Sequence, residues 1–154
     1  RSLVGSEMGI RDSARAEQGH LEAVSRLLGR YGIEDPADDL ALGEFSVGAL
    51  QDLYDRLIAQ GSQSLAEALK VGAAIEQIDI VDLKEEITQA EASDVQRLYG
   101  NLLRGSENHL QAFVSTLARQ TGETYVPQYL DADDYARIVA PAATSSAGRG
   151  RRGR

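Results

Sequence analysis

The sequence lacks several residue types and patterns, and each absence narrows the class of protein. The 154 residues include no cysteine, which excludes disulfides, iron–sulfur clusters and thiolate zinc sites. Aromatic residues make up 5% of the chain and hydrophobic residues 42%, so an Ala/Leu-rich helical core fits better than a β-sandwich. No apolar run approaches the roughly 18–20 residues of a membrane-spanning helix, and no secretory signal is visible, which leaves the compartment open and favours a cytoplasmic location.

Charge is unevenly distributed along the chain. The formal net charge is −8, and Arg149, Arg151, Arg152 and Arg154 lie in a stretch without acidic residues. Removing these four positive charges takes the net charge from −8 to −12 for the rest of the chain. Such an acidic body argues against broad nucleic-acid binding. Residues 141–154 form an Arg/Gly-rich tail that is expected to be disordered, and it is either simply solvated or binds nucleic acid weakly through charge.

Hydrophobic residues recur at spacings of three and four, which predicts an all-α domain. The predicted helices are Arg11–Tyr31, Val47–Gln60, Leu65–Ile87, Ser93–Gln120 and a short last helix that Asp131 caps and that ends near Val139. Residues 1–10 have no clear pattern, and residues 11–140 form one helical domain of a size that can fold alone. Around residues 125–129, tyrosines and a proline predict an extended segment packed against the helices.

The predicted helix Leu65–Ile87 carries two acidic residues on its apolar face. At about 100° per residue, Glu76 and Asp79 fall within the apolar stripe. The other members of that stripe are Leu65, Leu69, Gly72, Leu83 and Ile87. An ionised carboxylate that faces a helical core is costly unless it is paired or bound to a metal. The two acids therefore predict either a metal site or ion pairs at the edge of the core.

Two other helices also place ionisable groups on their apolar faces. On the first helix, Glu17 lies about 15° and His20 about 45° from the centre of the stripe, as an E-x-x-H pair. On the fourth helix, His109 lies about 60° from the centre and Glu107 about 100°, at the boundary. Carboxylate and imidazole together suit a hard or borderline divalent metal. Taken singly, each histidine could instead be a hydrogen-bonded core residue, but these are the only two in the chain.

Four segments resemble a small bacterial and archaeal group of ferritin-like proteins of unknown function. They are AEQGHLEAVSRLLGRYG (16–32), GSQSLAEALKVGAAIEQIDIVDL (61–83), LRGSENHLQAFV (103–114) and GETYVPQYL (122–130). The resemblance covers about residues 16–140 and implies a ferritin-like four-helix bundle. In ferritin-like di-iron and di-manganese proteins, two helices each give one Glu and two others each give Glu-x-x-His.

The resemblance carries over to some residues directly. Glu17 and His20 fit the first Glu-x-x-His of the ferritin-like plan. Glu76 fits the helix that gives a single Glu. Asp79, one turn further along, is then a neighbouring carboxylate outside the ligand set or on the access path.

The chain departs from the ferritin-like plan at two places. His109 fits the second histidine, but Ser106 stands where its partner Glu is expected. Glu107 is shifted by one position and would reach the site only through an irregularity such as a π-bulge. The plan also requires a helix before Arg11 that carries a Glu. Either that helix is missing from this chain, or a partner subunit contributes it, or the site is degenerate.

Two functions of different classes follow. The first is a carboxylate-bridged di-iron or di-manganese protein that oxidises ferrous iron or reduces oxygen or peroxide. Its predicted ligands are Glu17, His20, Glu76, His109 and Glu107, with Asp79 beside them. The second is a metal-free helical bundle that acts as a structural or protein-interaction module. The expected partners are metal ions and a second copy of the chain in a homodimer, without a membrane.

Overall fold

The structure is a computed structural model that describes the backbone of residues 4–140 and the side chains of residues 15–140. The helices are α1 (Val4–Tyr31), α2 (Gly48–Gly61), α3 (Leu65–Gln89), α4 (Ser93–Thr121) and α5 (Ala132–Val139). Between residues 4 and 140 there is no strand, so the predicted all-α class is confirmed as a helical bundle. None of the helices in this range is long and apolar enough to cross a membrane. The predicted tail, residues 141–154, lies outside the described residues.

The start of α1 differs from the prediction. The helix begins at Val4 rather than at Arg11. Apolar periodicity detects the amphipathic part of a helix, so it does not reveal a stretch that continues the helix without that pattern. The starts of α3 and α4, at Leu65 and Ser93, agree with the prediction.

α3 and α4 form the central pair of the bundle. They lie along each other, α2 packs on α3, and α1 and α5 pack on α4. A Cβ at Gly72 of α3 would lie 2.7 Å from the ring of Phe113 on α4, so the glycine permits this close approach. The buried core consists of Leu69, Ala73, Ile80, Leu110, Leu117, Tyr125, Leu130 and Ile138.

The buried face of α3 is rotated relative to the predicted stripe. Ile80 and Gln77 are fully buried, whereas Leu65 is 57% exposed. Ile80 lies about 60° around the helix from Leu65, so α4 covers a face displaced to one side of the apolar stripe. Glu76 remains on the buried face, while Asp79 lies at its exposed edge.

The predicted buried faces of α1 and α2 are largely open. No residue of α2 is buried, and Leu21 of α1 is 65% exposed. Within the described part of the chain, the backbone of α1 comes close only to that of α4, and the backbone of α2 only to that of α3. A helix with one neighbour buries a narrower stripe than a helix held between two, which explains why the prediction overstated burial here.

Hydrogen bonds with the Gln77 side chain hold the segment that follows α4. After α4 ends at Thr121, with Gly122 as its C-cap at φ of 75°, the chain runs extended and buries Tyr125. The Gln77 Oε1 atom accepts hydrogen bonds from the backbone N–H groups of residues 128–130, at 3.1–3.2 Å. The Gln77 Nε2 atom donates to the Tyr125 hydroxyl at 2.7 Å. The predicted packing of this segment is thus confirmed for Tyr125, while Tyr129 is 48% exposed.

Candidate metal centre

Two carboxylates and one imidazole converge from three helices. Glu17 of α1, Glu76 of α3 and His109 of α4 each offer one ligand atom, and these atoms lie within 4.8 Å of one another. The Nδ1 atom of His109 lies 3.0 Å from Glu17 Oε1 and 3.2 Å from Glu76 Oε1. The structure therefore brings together three of the residues that the sequence predicted as ligands.

His20 extends this cluster on the other side of Glu17. Its Nδ1 atom lies 3.4 Å from Glu17 Oε2, while Glu17 Oε1 faces His109. The centroids of the two imidazole rings are 6.4 Å apart. The Glu17 carboxylate thus lies between the two rings with one oxygen toward each, a disposition in which one carboxylate can bridge two cations.

Burial differs among the members of the cluster. The side chains of Glu76 and His109 are 10% and 11% exposed, whereas that of Glu17 is 53% exposed. Burial raises the pKa of Glu76 to about 8; a hydrogen bond from Ser106 opposes this rise, and the carboxylates of Asp79 and Glu17 add to it. Near neutral pH, Glu76 therefore holds a proton for most of the time, and a bound cation would displace that proton.

A cavity of about 310 Å³ joins the cluster to solvent. Asp79 lines it and keeps an exposed surface. Burial of its other side raises the pKa of Asp79, and the carboxylates of Glu17 and Asp82 raise it further. The other lining residues are Glu17, His20, Asp82, Leu83, Glu86, Leu102 and Ser106, so among the described side chains that line the cavity no lysine or arginine offsets the acids.

The sequence prediction did not include Asp82 and Glu86 in this region. They lie three and seven residues after Asp79, a spacing that places all three acids on one side of α3. That spacing was visible in the sequence. It was missed because Asp82 and Glu86 lie off the apolar stripe that guided the choice of candidates.

Glu107, which the sequence also predicted as a ligand, lies apart from this cluster. Its Oε1 atom lies 3.4 Å from the Arg137 guanidinium of α5. α4 is a continuous α-helix over its whole length, so it lacks the π-bulge that would turn Glu107 toward His109. Successive residues of a helix are rotated by about 100°, so Glu107 points to the side of α4 on which α5 packs. Ser106, where the plan has Glu, is buried beside the cavity and lowers the pKa of Glu76.

Comparison with known proteins gives a family without an assigned activity. Residues 6–142 match the family described as an uncharacterized protein domain (DUF2202). The chain is 40% identical over 131 residues to uncharacterized protein MJ0754 of Methanocaldococcus jannaschii, which covers 85% of this chain and 70% of that protein. Its fold is similar to the crystal structure of hypothetical protein MJ0754 from Methanococcus jannaschii, with a TM-score of 0.82, 38% identity, and coverage of 88% and 77%. The chain therefore belongs to the family of the uncharacterized protein domain DUF2202.

Proposed function

We propose that this protein is a ferritin-like carboxylate protein that binds two divalent cations, iron or manganese, and oxidises ferrous iron with oxygen or peroxide. The observation that carries the proposal is the position of Glu17. Its two carboxylate oxygens face the Nδ1 atoms of His20 and His109, and buried Glu76 faces the same nitrogen of His109.

The chemistry of the donor set fits such a pair of cations. Two carboxylates and two imidazoles, in a chain without thiols, suit iron and manganese rather than soft metals. Glu17 would bridge the two cations, His20 and His109 would bind one each, and Glu76 would be the second carboxylate beside His109. A cation would also neutralise the buried carboxylate of Glu76, which is costly to ionise alone.

Bound iron would supply one-electron redox chemistry at this site. In the proposed reaction, two ferrous ions lose one electron each, and dioxygen takes up both electrons with two protons to give hydrogen peroxide. With peroxide as the oxidant, two electrons and two protons give two molecules of water. The acid-lined cavity offers hydrated cations and small neutral oxidants a path to Glu17.

Anaerobic titration with ferrous iron tests the proposal. Protein stripped with chelator is expected to bind two ferrous ions per chain. When oxygen is admitted, the bound iron should become ferric, which is measured as an increase in near-ultraviolet absorbance. The double variant Glu17→Ala, His20→Ala is expected to lose binding. Glu22→Ala, which removes an exposed acid from the same helix, is the control and should bind like the wild type. Wild-type protein that takes up neither iron nor manganese would overturn the proposal.

A second candidate is the metal-free interaction module. It is favoured by the finding that, in the described region, no buried side-chain nitrogen or oxygen lacks a hydrogen-bond partner. The Nδ1 atom of His109 lies 3.0 Å from Glu17 and 3.2 Å from Glu76 without a cation between them. This alternative predicts a melting temperature that is indifferent to iron, manganese and chelator, and a clear rise with metal contradicts it.

A further inference from the structure

Gly105 of α4 faces the imidazole of His20 at very short range. A Cβ at Gly105 would lie 2.5 Å from His20 Cε1 and 2.9 Å from Nε2, far inside the carbon–carbon optimum of about 3.5–4.0 Å. The ring therefore occupies space that any other residue at position 105 would fill. On the same ring, Nδ1 faces Glu17.

We propose that Gly105 is the positioning residue that seats His20 beside Glu17 and so sets the capacity of the site at two cations. This inference rests on the proposed function. It adds a residue that binds no cation itself and acts through the position of His20.

The backbone gives no other reason for glycine at position 105. Among the described glycines, positive φ occurs at Gly32, Gly43 and Gly122, so Gly105 has a conformation that any residue can adopt. Glycine inside a helix costs about 1 kcal/mol relative to alanine. At position 105 this cost has a steric reason, because a residue without a Cβ leaves room for the imidazole ring of His20.

An added methyl group at Gly105 would move His20 rather than break the bundle. The His20 side chain is already 25% exposed, so its ring can rotate toward solvent. Glu17 Oε2 would then lose its imidazole, while Glu17 Oε1 and Glu76 keep His109. The residues that stay in place, Glu17, Glu76 and His109, provide ligands for one cation.

Two alanine substitutions in α4 separate this effect from a general change in the helix. Gly105→Ala and Gly100→Ala each add one methyl group to α4, but a Cβ at Gly100 meets no atom within 4 Å. We expect Gly105→Ala to bind one ferrous or manganous ion per chain, as His20→Ala does, and Gly100→Ala to bind two. The double variant Gly105→Ala, His20→Ala should lose nothing further. Two cations bound by Gly105→Ala with wild-type affinity would overturn the inference.

Nuclear magnetic resonance of the metal-free protein gives a readout that is independent of metal. The chain has two histidines, and the signal missing from His20→Ala assigns the imidazole of His20. We expect Gly105→Ala to shift that signal, with little change at His109, and Gly100→Ala to shift neither signal. An unchanged His20 signal contradicts the seating role. If the wild-type protein binds no cation, that result contradicts the proposed function and the capacity for two cations, but not the position of His20.

Discussion

At the scale of single residues, Glu76 shows how the fold changes the chemistry of a side chain. Its usual pKa of 4.5 is raised to about 8, first of all by burial. The folded chain therefore holds this proton over a pH range in which the unfolded chain has released it. Wherever the folded state binds more protons, stability falls as pH rises.

We expect the free energy of unfolding of the metal-free protein to fall as pH rises from about 4.5 to about 8. Glu76→Gln keeps the shape and removes the ionisation, so it should flatten this dependence and be more stable than the wild type at pH 8. Chemical denaturation at a series of pH values measures the effect. Glu85→Gln, at an exposed position of the same helix away from the cavity, is the control and should keep the wild-type slope. Equal slopes for Glu76→Gln and the wild type would argue against a buried, protonated Glu76.

Helical spacing alone was enough to predict most of the cluster. Glu17 and His20 share one face of α1 because they are three residues apart, and His109 lies on the inner side of α4. The influence of Ser106 on the pKa of Glu76 was not predicted, because a serine in a helix has no sequence pattern that indicates its partner. For Glu107, the partner is Arg137 of α5, and nothing in the sequence fixed on which side of α4 the helix α5 would dock.

At the scale of elements, the buried amide of Gln77 ties α3 to the segment after α4. Three backbone N–H groups, those of residues 128–130, depend on its one oxygen atom. Hydrophobic periodicity could not find this role, because Gln77 is polar and so does not count toward an apolar stripe. Because polar Gln77 was left out of the apolar stripe, the predicted buried face of α3 was rotated away from the face that is buried in the structure.

Gln77→Leu should destabilise the fold. The leucine fills a similar space but leaves these N–H groups without an acceptor, and an unsatisfied buried group costs about 1–3 kcal/mol. We therefore expect a loss of roughly 3 kcal/mol in the free energy of unfolding, measured with denaturant, and faster hydrogen exchange at residues 128–130. Gln89→Leu, the same substitution at an exposed position of α3, should change little. If the two variants are equally stable, the Gln77 contacts do not hold this segment.

At the scale of the whole molecule, the sequence indicated the all-α class correctly because Leu and Ala recur with helical spacing. It overstated how much of the bundle is closed. Leu50 and Ile58 of α2 are 47% and 54% exposed, although both lie on the apolar face of that helix. An apolar face with helical periodicity predicts that another structural element packs against it. It does not indicate whether that element belongs to the same chain.

In the homodimer that the sequence analysis expects, a second copy of the chain would cover the open face of α2 about a two-fold axis. Sedimentation equilibrium should then give the mass of a dimer, and Leu50→Glu should shift it toward the monomer by placing a charge on the apolar face. Ala59→Glu adds the same charge at an exposed position of α2 and should leave the dimer intact. A wild type that is monomeric at tens of micromolar would rule out this assembly.

The central claim is that one carboxylate, Glu17, lies between two cations. Crystals of the protein loaded anaerobically with ferrous iron, measured at the iron absorption edge, give the most direct test. We expect two anomalous peaks that flank Glu17, one beside His20 and one between Glu76 and His109. A map without peaks at this cluster, or with peaks only at exposed acids elsewhere, would contradict it.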